Sequence, residues 1–294
     1  MTRVTHQMTQ RTALANIQTN LKALNTLQSQ ASSQKRIEKP SDDPAGTAQA
    51  LRLRSEQRAV AQYQRNLEDG VSWLTTLDTA LTTTSSYLRR ARDLVVRGAN
   101  DGAMGPAQRE AIATELEGLR GSLLSQANTT YLGRSVFAGT SNAGVAFDAA
   151  DYSFQGTPGS SVERRVSAAV TVRVDGDGAA VFGEGNDSVF AMLDAIAADL
   201  RAGVNTSPFL TQIDARIDKV LTEASTVGAR TNQMTATQEA NASRRLSLGS
   251  DLASVEDVDL AETLVNVQAQ EVAYQAALGA AAKALQPTLL DYLR

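Results

Sequence analysis

Between Leu53 and Val95 every seventh residue is apolar: Leu53, Val60, Leu67, Leu74, Leu81, Leu88 and Val95. The positions three residues further on are weaker, running Glu56, Tyr63, Gly70, Leu77, Thr84, Ala91 and Gly98. An apolar seven-residue repeat sustained over this length keeps one seam against a partner along a left-handed supercoil. At about 1.5 Å per residue the stretch predicts a helical rod of roughly 63 Å. A core helix of an ordinary bundle is the plainer reading of the same pattern.

The remaining pattern predicts helices on either side. From Leu14 the spacing is 3-4-3, through Ile17, Leu21 and Leu24 to Gln28 and Ala31, a stripe too thin to be stable alone in water. Pro40-Ser41-Asp42-Asp43-Pro44 breaks it; Asp43 suits an N-cap and Pro44 a first helical position, so the long helix begins near 44. It ends at the turn 98–102, and a shorter helix with Ile112, Leu116, Leu119 and Leu123 on one face runs from about 107 to 130. After Pro208 the 3-4 stepping resumes through Leu210, Ile213, Ile217, Val220, Ala224, Val227, Thr231 and Met234. A last helix carries Leu260, Leu264, Val267, Glu271, Tyr274, Leu278, Ala281 and Leu285.

The middle differs. All six Phe residues lie between 137 and 209, with nine of the twenty Gly residues. Residues 162–166 and 170–174 read as short strands, and a helix near 188–202 closes the module. The predicted fold class is therefore mainly α: a long antiparallel coiled-coil rod built from the N- and C-terminal halves, with a small β-rich inserted domain.

Composition narrows the chemistry. With one Trp and no Cys among 294 residues, packing is by aliphatic side chains, and neither disulfides nor thiolate chemistry are available. No apolar run is long enough to span a membrane, and the first 34 residues lack the pattern of a cleaved secretory signal. The net charge of −4 argues against a general nucleic-acid binder. Its distribution is uneven. Residues 1–40 hold six basic groups and one acid, while residues 251–294 hold seven acids and two bases. Equal and opposite ends suggest that they meet, within one chain or between copies; solvated helix faces are the alternative.

No catalytic, cofactor-binding or metal site is expected. The single histidine, His6, lies in a polar stretch without a nucleophile in register. Asp175-Gly176-Asp177-Gly178 lacks the later ligands of a calcium loop and reads as a β-turn. Gly183-Glu184-Gly185 lacks the residues of a phosphate loop. The pairs Asp42-Asp43 and Asp257/Asp259 stand where helix-start charge is expected. Asp251, Glu256, Asp257 and Asp259 lack a recurring ligand spacing, and Arg89, Arg90, Arg92 and Arg97 read as a solvated helix face.

Several motifs resemble those of bacterial flagellins and their relatives. Arg36-Ile37 followed by Pro40-Ser41-Asp42-Asp43-Pro44 is similar to the signature after the first flagellin helix. Residues 227–232, 255–262 and 287–293 are similar to its C-terminal half. Pro on both sides of Ser41-Asp42-Asp43, Asn128-Thr129-Thr130 leading into 133–140, and a middle module of about 70 residues resemble the hook-associated members at the hook–filament junction more than filament flagellins. Two positions depart: Gln34 stands where Gly is usual, and Pro287 lies within the final helix.

The resemblance implies a non-enzymatic structural subunit without cofactors, secreted through the flagellar type III apparatus and placed at the hook–filament junction. It implies a terminal coiled-coil layer from 1–40 and 251–294, a central helical rod from 41–138 and 208–250, and an outward-facing β-rich insert at 139–207. The assembly seam would be Leu14, Ile17, Leu21, Leu24, Leu260, Leu264, Val267, Tyr274, Leu278 and Leu285. Implied partners are other copies in a ring, a neighbouring hook-associated protein on the hook side, and flagellin or its adjoining subunit on the filament side. A cytoplasmic export chaperone would bind the C-terminal region; nucleic acid and membrane are not expected partners. The alternatives are a minor flagellin and, more remotely, a secreted amphipathic coiled-coil protein acting on membranes.

Overall fold

A computed structural model describes residues 2–99, 105–157 and 159–284. Its α-helices are α1 (Thr2–Ser33), α2 (Pro44–Ala99), α3 (Pro106–Ala127), α4 (Gly178–Phe182), α5 (Val189–Ala202), α6 (Pro208–Glu256) and α7 (Leu260–Ala284). The strands β1 (Thr130–Tyr131), β2 (Arg134–Ser135), β3 (Glu163–Arg165) and β4 (Thr171–Arg173) form two two-stranded antiparallel sheets. The chain divides into two compact units, residues 1–59 with 245–294, and residues 60–244.

In the unit 60–244 the heptad seam of α2 is buried from Val60 through Val95, and its companion positions are buried from Gly70 onwards. The weak companion series thus still faces protein, because small residues there let neighbouring chain approach. At Gly70 an added Cβ would lie 2.6 Å from the Met234 methyl of α6. α6 runs antiparallel to α2, with Arg92 Nε donating to Asp214 Oδ1 at 2.6 Å. The 3-4 stepping of α6 buries Ile213, Val220, Val227 and Met234. α3 returns along α2, tied by Arg90 to Glu115, and packs antiparallel to α5. There Arg201 bridges Glu110 and Glu117 at 2.8 and 2.6 Å. α3 ends at Ala127 rather than near 130, because Asn128 turns to serve the insert: its Oδ1 accepts from Ala146 N and Phe147 N, and its Nδ2 donates to Phe147 O.

The insert holds little strand. β3 and β4 pair over three residues each, as the 162–174 pattern predicts, and α4 and α5 supply the remaining regular structure. Its core is aromatic: Phe137, Phe147, Phe182 and Phe190 are buried, with ring centroids 5.2–5.8 Å apart. Asp175 is fully buried, accepting from Val162 N at 2.7 Å and pairing with Arg173 at 3.0 Å, while Asp177 caps α4 by accepting from Ala180 N. The Asp-Gly-Asp-Gly stretch is thus turn and cap. Trp73 of α2 is buried beneath the insert, 5.4 Å from the Tyr131 ring, with the Arg134 and Arg164 guanidinium groups over its face.

In the unit 1–59 with 245–294, α1 and α7 pack antiparallel. Gln270 Nε2 donates to Asn20 O at 3.3 Å, and just beyond the ends of α1 and α6 Lys35 and Asp257 form an antiparallel bridge.

Candidate assembly surface

The Arg36–Pro44 motif folds into the joint between α1 and α2. Asp42 Oδ2 accepts from Lys39 N at 2.9 Å and Glu38 N at 3.2 Å, closing a turn, and Asp43 Oδ1 accepts from Gly46 N at 2.8 Å as the cap of α2. Pro44 is the first helical residue, where its missing N–H costs nothing. Pro40 and Ser41 lie in the exposed turn. Ile37 folds back onto Gly46, where an added Cβ would lie 2.6 Å from its Cδ1. Ser29 and Ser33 both donate to Glu38 Oε1, which holds the Glu38 carboxyl below its ordinary range.

The C-terminal motif meets this joint. Gln34, where the resemblance expects Gly, has φ +57° and ends α1 in the left-handed conformation that glycine favours. Val258 N donates to Gln34 O, and Arg36 N donates to Glu256 O at 2.6 Å. Arg36 Nη2 reaches Val255 O at 2.9 Å. Glu256, a buried carboxylate, pairs with Lys35 Nζ at 2.9 Å and Arg54 Nη2 at 2.8 Å. That hydrogen bond raises the Lys35 pKa above its ordinary value. Asp259 then caps α7, accepting from Ala261 N at 2.9 Å. Sequence reasoning marked Glu256 only as one carboxylate among several. Its role as the hub depended on long-range placement of Arg54, for which local spacing carries no signal.

The ten residues of the terminal seam divide. Leu24 is buried, and Ile17, Val267 and Tyr274 are half-buried along the stripe where α1 and α7 meet. Leu14, Leu21, Leu260, Leu264 and Leu278 are exposed, Leu14 by 56 % and Leu264 by 50 %. At 100° per residue these leucines lie on one flank of the buried stripe in each helix. Because the helices run antiparallel, equivalent flanks point to the same side, so the pair has one leucine-lined side. Leu285 lies outside the described residues, as do Pro287 and the motif at 287–293. Along α2, Leu53 is half-buried, and the other six members of its series are buried.

The two helices differ in charge. The α1 sequence contains no Asp or Glu, and exposes Arg11 and Lys22. α7 exposes Glu262 and Glu271, on opposite faces, and Lys283 in its last turn. None of these side chains makes an ion pair among the described residues. Nor do the described residues hold a group of three His, Asp or Glu side chains placed to ligate a metal, and none of the described helices is long and apolar enough to cross a membrane.

Two family descriptions match the chain: the bacterial flagellin N-terminal helical region over residues 4–142, and the C-terminal helical region over 210–293. The chain belongs to the bacterial flagellin family. Among the relatives of this flagellin-family chain, flagellar hook-associated protein 3 of Salmonella typhimurium is 27% identical over 273 residues, covering 84% of this chain and 86% of that protein. The flagellin of Bacillus subtilis is 26% identical over 298 residues, covering 97% and 96%. A solved structure of a protein described as flagellar hook-associated, from Vibrio parahaemolyticus, is 26% identical with a TM-score of 0.67, covering 74% of this chain and all of that one. Flagellar hook associated protein-3 of Legionella pneumophila shares the fold at 16% identity, TM-score 0.61, covering 69% of this chain and 98% of that one.

Proposed function

We propose that this flagellin-family chain is the structural subunit joining the hook to the filament of the bacterial flagellum, exported from the cell and without catalytic activity. The observation that carries this reading is the likeness to hook-associated protein 3 over most of both chains. The exposed leucine side of the α1/α7 pair supports it, since an apolar surface left open on a subunit is a surface for assembly. Residues 1–40 and 251–294 form the terminal layer of the assembly, residues 41–138 and 208–250 its helical rod, and residues 139–207 an outward-facing insert. Copies form a ring, with a hook-associated protein on the hook side and flagellin or its adjoining subunit on the filament side. A cytoplasmic export chaperone covers the C-terminal region before export.

Deleting the gene tests this. Hooks that persist without filaments, with flagellin leaking into the medium, are the expected result. Unchanged filaments and motility would overturn it. The second reading, a minor flagellin, is favoured by the near-complete alignment with the Bacillus subtilis flagellin; it predicts altered filaments in the deletion and self-assembly of the purified chain into long filaments.

A further inference from the structure

We propose that the insert carries an acid-tightened clasp: the segment between β4 and α4 is held on α6 when Glu223 is protonated and loosens when Glu223 carries its charge. Glu223 is half-buried on α6. The charged groups that face it are Arg230, two turns on along the same helix, Arg173 at the end of β4, and Asp177 and Asp175 ahead of α4. α2 and the chain at 136–137 pack against the same segment through Gly70, Leu77, Val136 and Phe137, none of them charged.

Both cations are engaged by the segment itself. Arg173 Nε and Nη2 donate to Asp175 Oδ1 and Oδ2, each at 3.0 Å, and Arg230 Nη1 donates to Asp175 O at 3.1 Å. Glu223 accepts no hydrogen bond among the described residues, where its one ion pair is with Arg230 Nη1 at 3.6 Å. Three carboxylates thus face two guanidinium groups, and the surplus charge sits on the carboxylate without a donor. Ionised, Glu223 loses solvent without a hydrogen bond in exchange and repels Asp175 and Asp177 across the joint. Protonated, it leaves two acids against two bases.

Burial, with the two like charges adding to it, holds the Glu223 carboxyl above the ordinary range against the pull of both arginines. Such a group contributes stability below its unfolded pKa and loses it as pH rises through the folded value, so the clasp is firm in acid and slack at higher pH. The segment has room to yield, since a cavity of about 140 Å³ lies along it, lined also by Gly139, Phe154 and Ser160. The unit 60–244 contains neither histidine nor cysteine, so no side chain of ordinary pKa titrates there between pH 5 and pH 8.

Hydrogen exchange of the full chain at pH 4.5 and pH 8, expressed as protection relative to the intrinsic rate at each pH, tests the clasp. The amides to follow are Val174, Gly176 and Gly178, which donate to the carbonyls of Val162, Val136 and Phe137. Their protection is expected to fall about fivefold or more between the two pH values, while amides of α5 keep theirs. Glu223→Gln is expected to hold the acid level of protection at both. Equal protection in the parent at the two pH values, or a fall that survives in Glu223→Gln, would overturn the proposal.

A second variant stands even where Glu223→Gln does not fold. Asp177→Asn keeps a capping side chain for Ala180 N but removes one like charge, so Glu223 ionises more readily in the closed state. The fall in protection is expected to shrink. An unchanged or larger fall would show that Glu223 does not drive the loosening. Neither readout involves assembly, so a wrong clasp and a wrong flagellar role give different results.

Discussion

The carbonyl oxygen of Gln34 accepts from Val258 N at 3.2 Å, and Gln34 itself stands at φ +57°. The residue that ends α1 also receives the chain leaving α6, so the two halves are registered at one left-handed residue. A side chain in this region costs roughly 1 kcal/mol that glycine does not. Gln34→Gly is therefore expected to stabilise the unit 1–59 with 245–294 by about 0.5–1 kcal/mol, allowing for glycine's greater unfolded-state entropy. Gln34→Val is expected to destabilise it by more than that. Thermal unfolding by circular dichroism checks both.

Gly46 answers to a different constraint, space. An added Cβ would lie 2.6 Å from both Ile37 Cδ1 and Asp43 Oδ2. Gly46→Ala must move the cap or the folded-back Ile37, and is expected to cost about 1–3 kcal/mol although alanine favours helix. Asp43→Ala removes the cap alone, for about 1 kcal/mol. The order of the two Tm decreases is the check.

Glu256 is the buried acceptor for Lys35 and Arg54, both of which remain substantially exposed. Glu256→Ala leaves two cations that water can still solvate, so the loss is set by the missing hydrogen bonds, roughly 1–3 kcal/mol. Hydrogen exchange at 34–36 and 255–258 is expected to rise, with little change in α3 and α5.

Burial pushes the Glu223 carboxyl above its ordinary pKa, a rise only partly countered by Arg230 and Arg173. A group whose folded pKa is raised contributes stability below its unfolded pKa and loses it as pH rises through the folded value. Glu223→Gln is therefore expected to raise the Tm of the unit 60–244 at neutral pH and to leave it nearly unchanged at pH 4. Calorimetry at both pH values decides this; a lower Tm at neutral pH would show that the charge is held favourably.

Leu74→Ala in the α2 seam opens a cavity at a fully buried site and is expected to cost about 2–5 kcal/mol. Leu21→Asp or Leu278→Asp, on the open side of α1/α7, is expected to leave the fold within about 0.5 kcal/mol of the parent and to abolish filaments. Normal filaments from either charged variant would remove the leucine side from the assembly contact.

Much of the helical layout could be read from residue spacing, because a repeat over seven turns or more specifies both length and buried face. Pro44, Pro106 and Pro208 each begin a helix, and proline at N1 is a local signal. The terminal stripes were less readable. Leu14 and Ile17 belong to one apolar stripe in the sequence, yet only Ile17 turns to α7. The stripe is wider than one helix–helix contact, and the polar pair Asn20–Gln270 holds a place in the seam that hydrophobic pattern cannot mark. In the insert, the strands were readable by alternation. Burial of Asp175 was not, because besides its near neighbour Arg173 it depends on Val162 N arriving from the start of the paired strand β3.

The single tryptophan has an optical consequence. Trp73 sits in the unit 60–244, packed by Tyr131 and two guanidinium groups, and the other unit contains no tryptophan. Indole emission is thus a private signal of one unit, whereas far-ultraviolet ellipticity sums the helices of both. If α1 and α7 come apart first on heating, ellipticity falls while the emission maximum stays where it was, and the gap between the two curves measures how independently the terminal pair melts.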